Sequence, residues 1–265
     1  MPSATSSTVM HASTDLHGSP DYEVLTNCEV TEGMVEQAAA LFSRSYGVWG
    51  QSAEAKLGAY AKQGQHVRMS AKRLRQECIP ENDGTSLHVR ATIGNDLVGY
   101  VFATCWACDD QLILWVTQLC VEPKYRRKLV ATKILMELRR QHARYMVGIL
   151  SSHPAAILAT LKACGQTLVD FTCDTAGKHA AAIMKSSPII YVRTAKLSGR
   201  AFEGEDAAEG VVCCADTNFW VDHEEPKEVL KAVKKDKVVW PFGHLPEGHE
   251  YLALVVPWPW SKPYG

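Results

Sequence analysis

Long apolar runs are missing from this sequence: none approaches the length that crosses a bilayer, so no membrane anchor is expected. The opening MPSATSSTVMHASTDLHGSP has no apolar segment of the secretory-signal kind and no periodicity, so residues 1–20 are expected to form a flexible tail. An excess of either charge is also missing. Lys and Arg number 28 against 29 Asp and Glu, a net charge of −1, which excludes a dedicated nucleic-acid binder. No Asn-x-Ser/Thr sequon and no internal repeat occurs. The nine cysteines are an odd number without framework spacing, which excludes a disulfide scaffold. Cys105, Cys120 and Cys164 sit in apolar runs, as reduced buried thiols of the cytoplasm do, or of the nucleus.

What is present is a chain of 265 residues, 46% hydrophobic, enough for one large domain or one domain with a substantial appendage. Its most informative stretch is Leu112 to Ala131, LILWVTQLCVEPKYRRKLVA. An apolar run of strand-favouring residues ends at Pro123, which has no N–H for a ladder. Lys124, Arg126, Arg127 and Lys128 follow. From Leu129 the spacing turns helical, with Val130, Ile134 and Leu138 on one stripe. A strand feeding a basic turn feeding a helix N-terminus is a setting for a pyrophosphate, because the first amides of a helix are unpaired and its dipole is positive there.

The segment Val121 to Ala131 resembles motif A of the GCN5-related N-acetyltransferases: Arg or Gln, two residues, Gly, one residue, then Gly or Ala. Here it reads Arg126, Arg127, Lys128, Leu129, Val130, Ala131, with Leu129 in place of the glycine. A helical residue at that point needs no positive φ, so Leu129 is expected to fit with its side chain turned away from the ligand. Ser152-His153-Pro154-Ala155-Ala156 through Lys162 and Gly165 is similar to the family's next motif, with Leu161 where its tyrosine usually stands. The resemblance covers residues 86–165 well and the N-terminal part loosely.

The flanking elements agree. Tyr22 to Val30 reads as a first strand, and Thr31 as the N-cap of a helix carrying Val35, Ala38, Ala39 and Phe42. Residues 50–79 look irregularly helical; Lys72, Arg73 and Arg75 there read as a solvated face. Ser86 to Ile93 and Leu97 to Ala107 are strands joined by the turn Gly94-Asn95-Asp96, and Cys108 to Gln111 turns into the next strand. Helix 129–144, strand Met146 to Leu150 and helix Pro154 to Ala163 complete the series. Beyond Gly165 the pattern predicts strands at Thr167–Cys173, Ile189–Ala195, Val211–Val221 and Tyr251–Val256, and helices at Ala176–Lys185 and Glu225–Lys235. PWPWSKPYG, with three prolines, is no central strand or helix. The expected fold is α/β: a mixed, mostly antiparallel central sheet flanked by helices in a core of residues 21–165, with residues 166–265 an α/β extension packed on it.

The resemblance implies acetyl-CoA as co-substrate, no metal, and transfer of acetyl to a small-molecule primary amine. It places the cofactor on Leu119, Val121, Arg126, Arg127, Lys128, Leu129, Val130, Ala131 and Ser152. Strand alternation puts Trp115, Thr117 and Leu119 on one face and Val116, Gln118 and Cys120 on the other. Neither face offers an acid or a histidine as general base. The catalytic candidates are therefore Thr117, ordering a water; Gln118, holding substrate or the neighbouring strand; and His223, reaching in from the extension. The plainer reading of Thr117 and Gln118 is as satisfied, partly buried polar groups. Should neither Thr117 nor His223 handle the proton, Tyr46, Tyr60 and the acids after Val221 are next. Asp222-His223-Glu224-Glu225 is equally a helix cap with first-turn acids.

Cys105-x-x-Cys108 lies on a strand, where positions three apart face opposite sides, and no second pair completes a zinc site. Cys213 and Cys214 likewise point apart, leaving Asp216, Asp222 and His223 no shared metal site. Trp220, Trp240, Trp258 and Trp260 read as core and edge packing. Two rival readings stay open: a catalytically weak or inactive protein of the same fold that binds CoA as a sensor, and a protein or peptide N-acetyltransferase. Nothing in the sequence sets an oligomeric state.

Overall fold

The computed structural model describes residues 18–80, 85–235 and 238–256. Most of the expected tail, and PWPWSKPYG with Trp258 and Trp260, lie outside the described residues. The N-terminal part runs β1 (Asp21–Thr26), α1 (Glu32–Ser45), α2 (Ala53–Leu57), α3 (Ala71–Cys78), β2 (Thr85–Ile93), β3 (Asp96–Cys108) and β4 (Gln111–Val121). Then come α4 (Val130–Arg139), β5 (Met146–Ser151) and α5 (Pro154–Ala163). The remainder holds α6 (Asp174–Lys185), α7 (Ile190–Thr194), β6 (Lys196–Ser198), α8 (Arg200–Glu203), β7 (Cys214–Asp216), α9 (Glu224–Lys235) and β8 (His249–Val255).

All eight strands form one sheet in the order β1-β2-β3-β4-β5-β8-β7-β6. Every neighbouring pair is antiparallel except β4–β5, which is parallel. The fold class is the expected one: a mixed, mostly antiparallel sheet flanked by helices. The C-terminal hundred residues do more than lie on it, since β8 pairs directly with β5.

Local chemistry explains the helices. Thr31 caps α1 by accepting from the Met34 N–H at 3.3 Å, and Val35, Ala38, Ala39 and Phe42 form its buried stripe. Leu41 and Leu74 bury α1 and α3 against Tyr100 and Phe102 of the sheet. On the opposite face Ile134, Leu135 and Leu138 of α4 and Ile157 of α5 pack against strand residues such as Val101 and Ile149. Gly99 lets α4 approach: a Cβ there would press on Val130 and Ile134. Gly148 lies under the Trp115 indole, which a Cβ would overlap.

Five predicted elements come out differently. The first strand, expected over Tyr22–Val30, ends at Thr26, where Glu29 accepts from the Thr26 N–H at 2.7 Å and the chain enters a 3-10 turn over Asn27–Glu29. Helix α4 stops at Arg139 instead of 144, because the buried Arg139 guanidinium donates to the Ala163 carbonyl and the chain must turn at once to enter β5. Thr167–Cys173 is no strand: Asp170 accepts from the Thr167 N–H and hydroxyl at 3.1 and 2.7 Å and closes a turn. Ile189–Ala195 contains the helix α7; its buried residues Ile189 and Val192 are three apart, a helical spacing. In Val211–Val221 only Cys214–Asp216 pairs as a named strand. Asp216 accepts from the Asn218 N–H at 3.0 Å, and Asn218, at φ 56°, turns the chain out. No helix among the described residues is long and apolar enough to cross a membrane.

Candidate active site

Strands β4 and β5 pair only from Ile113↔Met146 to Val116↔Ile149. Beyond Val116, β4 stays with β3 while β5 stays with β8, so a gap opens inside the sheet. The cause lies in β4. Phe102 pairs with Gln118 and Ala103 with Val116, which leaves Thr117 as the extra residue of a β-bulge. The bulge overturns the expected alternation. Residues paired across strands share a face, so Trp115, opposite Thr104, lies on the same side as Gln118, opposite Phe102. Cys120 joins them, while Val116 and Leu119 occupy the other side.

On the open edge of β4 the backbone is partly engaged. The Tyr191 hydroxyl donates to the Thr117 carbonyl at 2.9 Å, and Arg126 Nε donates to the Val121 carbonyl at 3.2 Å. Glu122 N–H points to β3, bonding the Val98 carbonyl, so by alternation Leu119 directs its N–H and C=O into the gap. The Val121 carbonyl, placed with the cofactor by the resemblance, already holds Arg126.

Past β4 the chain makes a 3-10 turn over Pro123–Tyr125 and then the basic loop. Arg127 and Leu129 take left-handed conformations, at φ 59° and 62°, with Leu129 the N-cap of α4. This corrects the expectation of an ordinary helical backbone at Leu129; the loop curls so tightly that the glycine of the family motif would be unstrained there. The Leu129 side chain is 51% exposed and so does turn outward. The N–H groups from Arg127 to Thr132 have no protein acceptor among the described residues. Successive unpaired amides of this kind form an anion cradle. Val130 and Ala131 contribute to it by backbone, and the Arg127 and Lys128 side chains are exposed beside it.

Arg126 has a different place. Its guanidinium donates to Glu225 at 2.6 Å, to Val121, and to the Ser45 carbonyl at the end of α1. It therefore fastens α1, β4 and α9 together. Glu225 also lies 3.8 Å from His153 Nε2, and His153 Nδ1 accepts from the Ala155 N–H at 3.1 Å to cap α5. The His153 ring, and with it the Arg126 guanidinium, holds the Glu225 carboxyl down at about 2 against the effect of burial.

Across the gap stands a residue that no motif indicated. Glu250 on β8 is 6% exposed. Burial pushes its carboxyl up to about 7, outweighing the Thr217 hydroxyl and the Ser152 N–H, which favour the charged form. Ser152, expected at the cofactor, thus supports this carboxylate through its backbone. The phenols of Tyr46 and Tyr191 are raised well above their ordinary value by burial, and each also feels the Glu250 charge. A carboxyl poised near neutrality beside two phenols is the composition of an acid–base site. Its one sequence signal is membership of the acids after Val221.

The other catalytic candidates are not brought together. Thr117 stands at the bulge with its hydroxyl buried and without a protein partner. The Gln118 carbonyl oxygen accepts from Tyr100 and its amide faces Met69 sulfur at 3.6 Å, tying β4 to β3. His223 lies at the start of α9, its pKa lowered by burial and then by Lys227. The charges acting on it are those of Lys227, Asp222, Glu247 and His244, whereas Tyr46 and Tyr191 feel Glu250. All nine cysteines are free, and burial raises Cys105 to about 12. No group of three or more His, Cys, Asp or Glu suited to a metal occurs among the described residues.

No protein-family model and no curated protein matches the chain. Solved structures do. The chain is similar to an aminoglycoside acetyltransferase from an uncultured soil metagenomic sample, solved with sisomicin, at 10% identity over 48% of this chain and 74% of that one, TM-score 0.32. It is similar to the ribosomal-protein-S18-alanine N-acetyltransferase of Escherichia coli at 13% identity over 52% and 74%, TM-score 0.34. A GNAT family N-acetyltransferase of Escherichia coli in complex with CoA shares 22% identity over 54% and 71%, TM-score 0.32. These solved neighbours are acetyltransferases.

Proposed function

We propose that this protein transfers an acetyl group from acetyl-CoA to the primary amine of a small molecule. The observation that carries the proposal is the gap beyond Val116 and Ile149, with the amide cradle at its mouth and Glu250 across it. The cradle suits the CoA pyrophosphate, with Arg127 and Lys128 adding charge, while Arg126 holds the loop in place. Acetyl-CoA, when bound, supplies the activated acetyl thioester.

The remaining work falls to this chain. The Leu119 N–H, directed into the gap, donates to the thioester oxygen as it gains charge. Glu250 takes a proton from the incoming ammonium, leaving its nitrogen lone pair free to attack. As the carbon–sulfur bond breaks, the Tyr191 hydroxyl, positioned by Thr117, gives its proton to the departing sulfur in place of the tyrosine that Leu161 replaces, and it is restored by the second proton that the nitrogen sheds on becoming an amide; Glu250 releases the first to solvent. Thr117 and Gln118 shape the strand; Asp222, next to His223, accepts from the Glu224 N–H at the entry to α9. With nine thiols free, the protein works in a reducing compartment such as the cytosol or nucleus.

The test is calorimetry with acetyl-CoA followed by an amine screen read as free-thiol release. Saturable binding and amine-dependent release support the proposal. Binding without turnover on any amine or peptide would make the protein a CoA sensor, and turnover confined to peptides would make it a peptide acetyltransferase. Absence of binding at millimolar acetyl-CoA would overturn all three.

A further inference from the structure

The extension holds a cavity of about 600 Å³ that shares no residue with the gap. Phe171, Thr172, Cys173, Val212 and Pro241 are among the residues that border it. Cys173 is half-buried there, at the N-cap of α6. Its sulfur donates to the Pro241 carbonyl at 3.5 Å. The carbonyl of the next residue, Phe242, accepts from the Cys213 N–H at 3.3 Å. Phe171 stacks on Phe242 with ring centroids 4.9 Å apart, which holds the segment carrying Cys173 against the one facing Cys213.

Cys213 is fully buried and fixed on β8: its carbonyl accepts from the Leu252 N–H at 3.3 Å and its thiol donates to the Leu252 carbonyl at 3.2 Å. The thiols of Cys173 and Cys213 lie within hydrogen-bonding reach of each other. Cys214 faces away, its thiol donating to the Ser198 carbonyl at 3.5 Å. When Cys173 ionises, the Cys213 S–H turns to its sulfur. That bond lowers the Cys173 pKa, outweighing burial and the Asp174 charge, which raise it. The same bond, together with burial, raises Cys213. One thiol of the pair is thus the readier thiolate and opens on a cavity, and the other waits, protonated, behind it. By contrast, burial pushes Cys105 and Cys120 up to about 12 and Cys164 to about 11.

We propose that Cys173 and Cys213 form a peroxide-reactive modification site: hydrogen peroxide entering the cavity oxidises Cys173, and Cys213 resolves the product as a reversible disulfide. In the first step the Cys173 sulfur attacks a peroxide oxygen and the O–O bond breaks. The departing hydroxide leaves as water with the proton of the thiol, and Cys173 becomes a sulfenic acid. In the second step the Cys213 sulfur attacks the Cys173 sulfur and the S–O bond breaks. The hydroxyl leaves as a second water with the Cys213 proton. The two thiols lose two electrons and the peroxide gains them. A disulfide that forms and is reduced again is the kind found in reducing compartments. The site is separate from the gap, so the proposal stands independently of the acetyl-transfer reading.

The experiment treats the full chain with dilute hydrogen peroxide, blocks the remaining thiols with iodoacetamide and maps the peptides without reduction. The expected result is a linked Cys173–Cys213 peptide that dithiothreitol removes, with the Cys173 thiol lost about tenfold or more faster than Cys105 or Cys164. Cys213→Ser should leave Cys173 as a sulfenic acid that dimedone traps, and Cys173→Ser should give neither the linked peptide nor a dimedone adduct at Cys213. In urea the preference for this pair should disappear, because it comes from tertiary contact. Should either variant fail to fold, the map of the parent with and without urea decides. No linked peptide, another intrachain pair linking first, or Cys173 reacting no faster than the buried thiols would overturn the proposal. So would a folded Cys213→Ser without a dimedone adduct, or a preference that persists in urea.

Discussion

Replacing Glu250 by Gln should make the protein inactive and, above neutral pH, more stable. The ordinary carboxyl titrates at 4.5 and Glu250 in the folded protein at about 7. Between those values the folded state holds a proton that the unfolded chain has released. Stability is therefore greatest below about pH 4.5 as far as this group is concerned, and is lost as pH rises through 7. At about 1.36 kcal/mol per pKa unit, the loss approaches roughly 3 kcal/mol at pH 8. Gln keeps the shape and never ionises, so Glu250→Gln recovers some or all of it, a rise in Tm of about 5–10 °C at pH 8 for a domain of this size. The advantage should shrink to nothing near pH 4.5. The kcat/KM of the parent, in turn, should fall below an apparent pKa of about 7, and Glu250→Gln should lose about a hundredfold to ten-thousandfold, the range of general-base effects. Thermal unfolding at pH 4.5, 6 and 8 with a pH–rate profile tests both halves. A variant less stable than the parent at pH 8, or one with parental activity, would refute the assignment of a charged, strained carboxylate to this site.

Arg127→Ala with Lys128→Ala should weaken CoA binding by roughly 1–3 kcal/mol with little change in Tm, since both side chains are exposed; calorimetry at two salt concentrations checks this. Leu129→Gly should raise stability by up to about 1 kcal/mol, because the αL strain of leucine, about 1–2 kcal/mol, exceeds the added chain entropy of glycine, about 0.5–1 kcal/mol; a clear fall in Tm would contradict the left-handed turn. His223→Ala should leave the neutral limb of the pH–rate profile in place, and its disappearance would return the proton to His223. Gly148→Ala should cost about 1–3 kcal/mol by forcing the Trp115 indole off the strand, read by chemical denaturation.

The alternating runs of β2 to β4, the cap at Thr31 and the Pro154 start of α5 were legible because each is set by neighbours in the chain. So was the basic turn after Pro123, and with it the expectation of an anion site. The left-handed backbone at Leu129 was not, because leucine there is strained and only the packed ends of β4 and α4 impose that turn. The bulge at Thr117 was equally hidden: one extra residue leaves the run apolar but reverses which side chains share a face, and that depends on the register with β3. Glu250 was the hardest to see. In sequence it is an ordinary glutamate before an apolar strand; its high pKa exists only because β8 joins β5 and buries it beside Ser152 and Thr217. Local spacing determined the elements and the basic turn, whereas the carboxyl proposed as the acid–base group was decided by tertiary pairing across a hundred residues, since desolvation belongs to the assembled sheet and not to the chain.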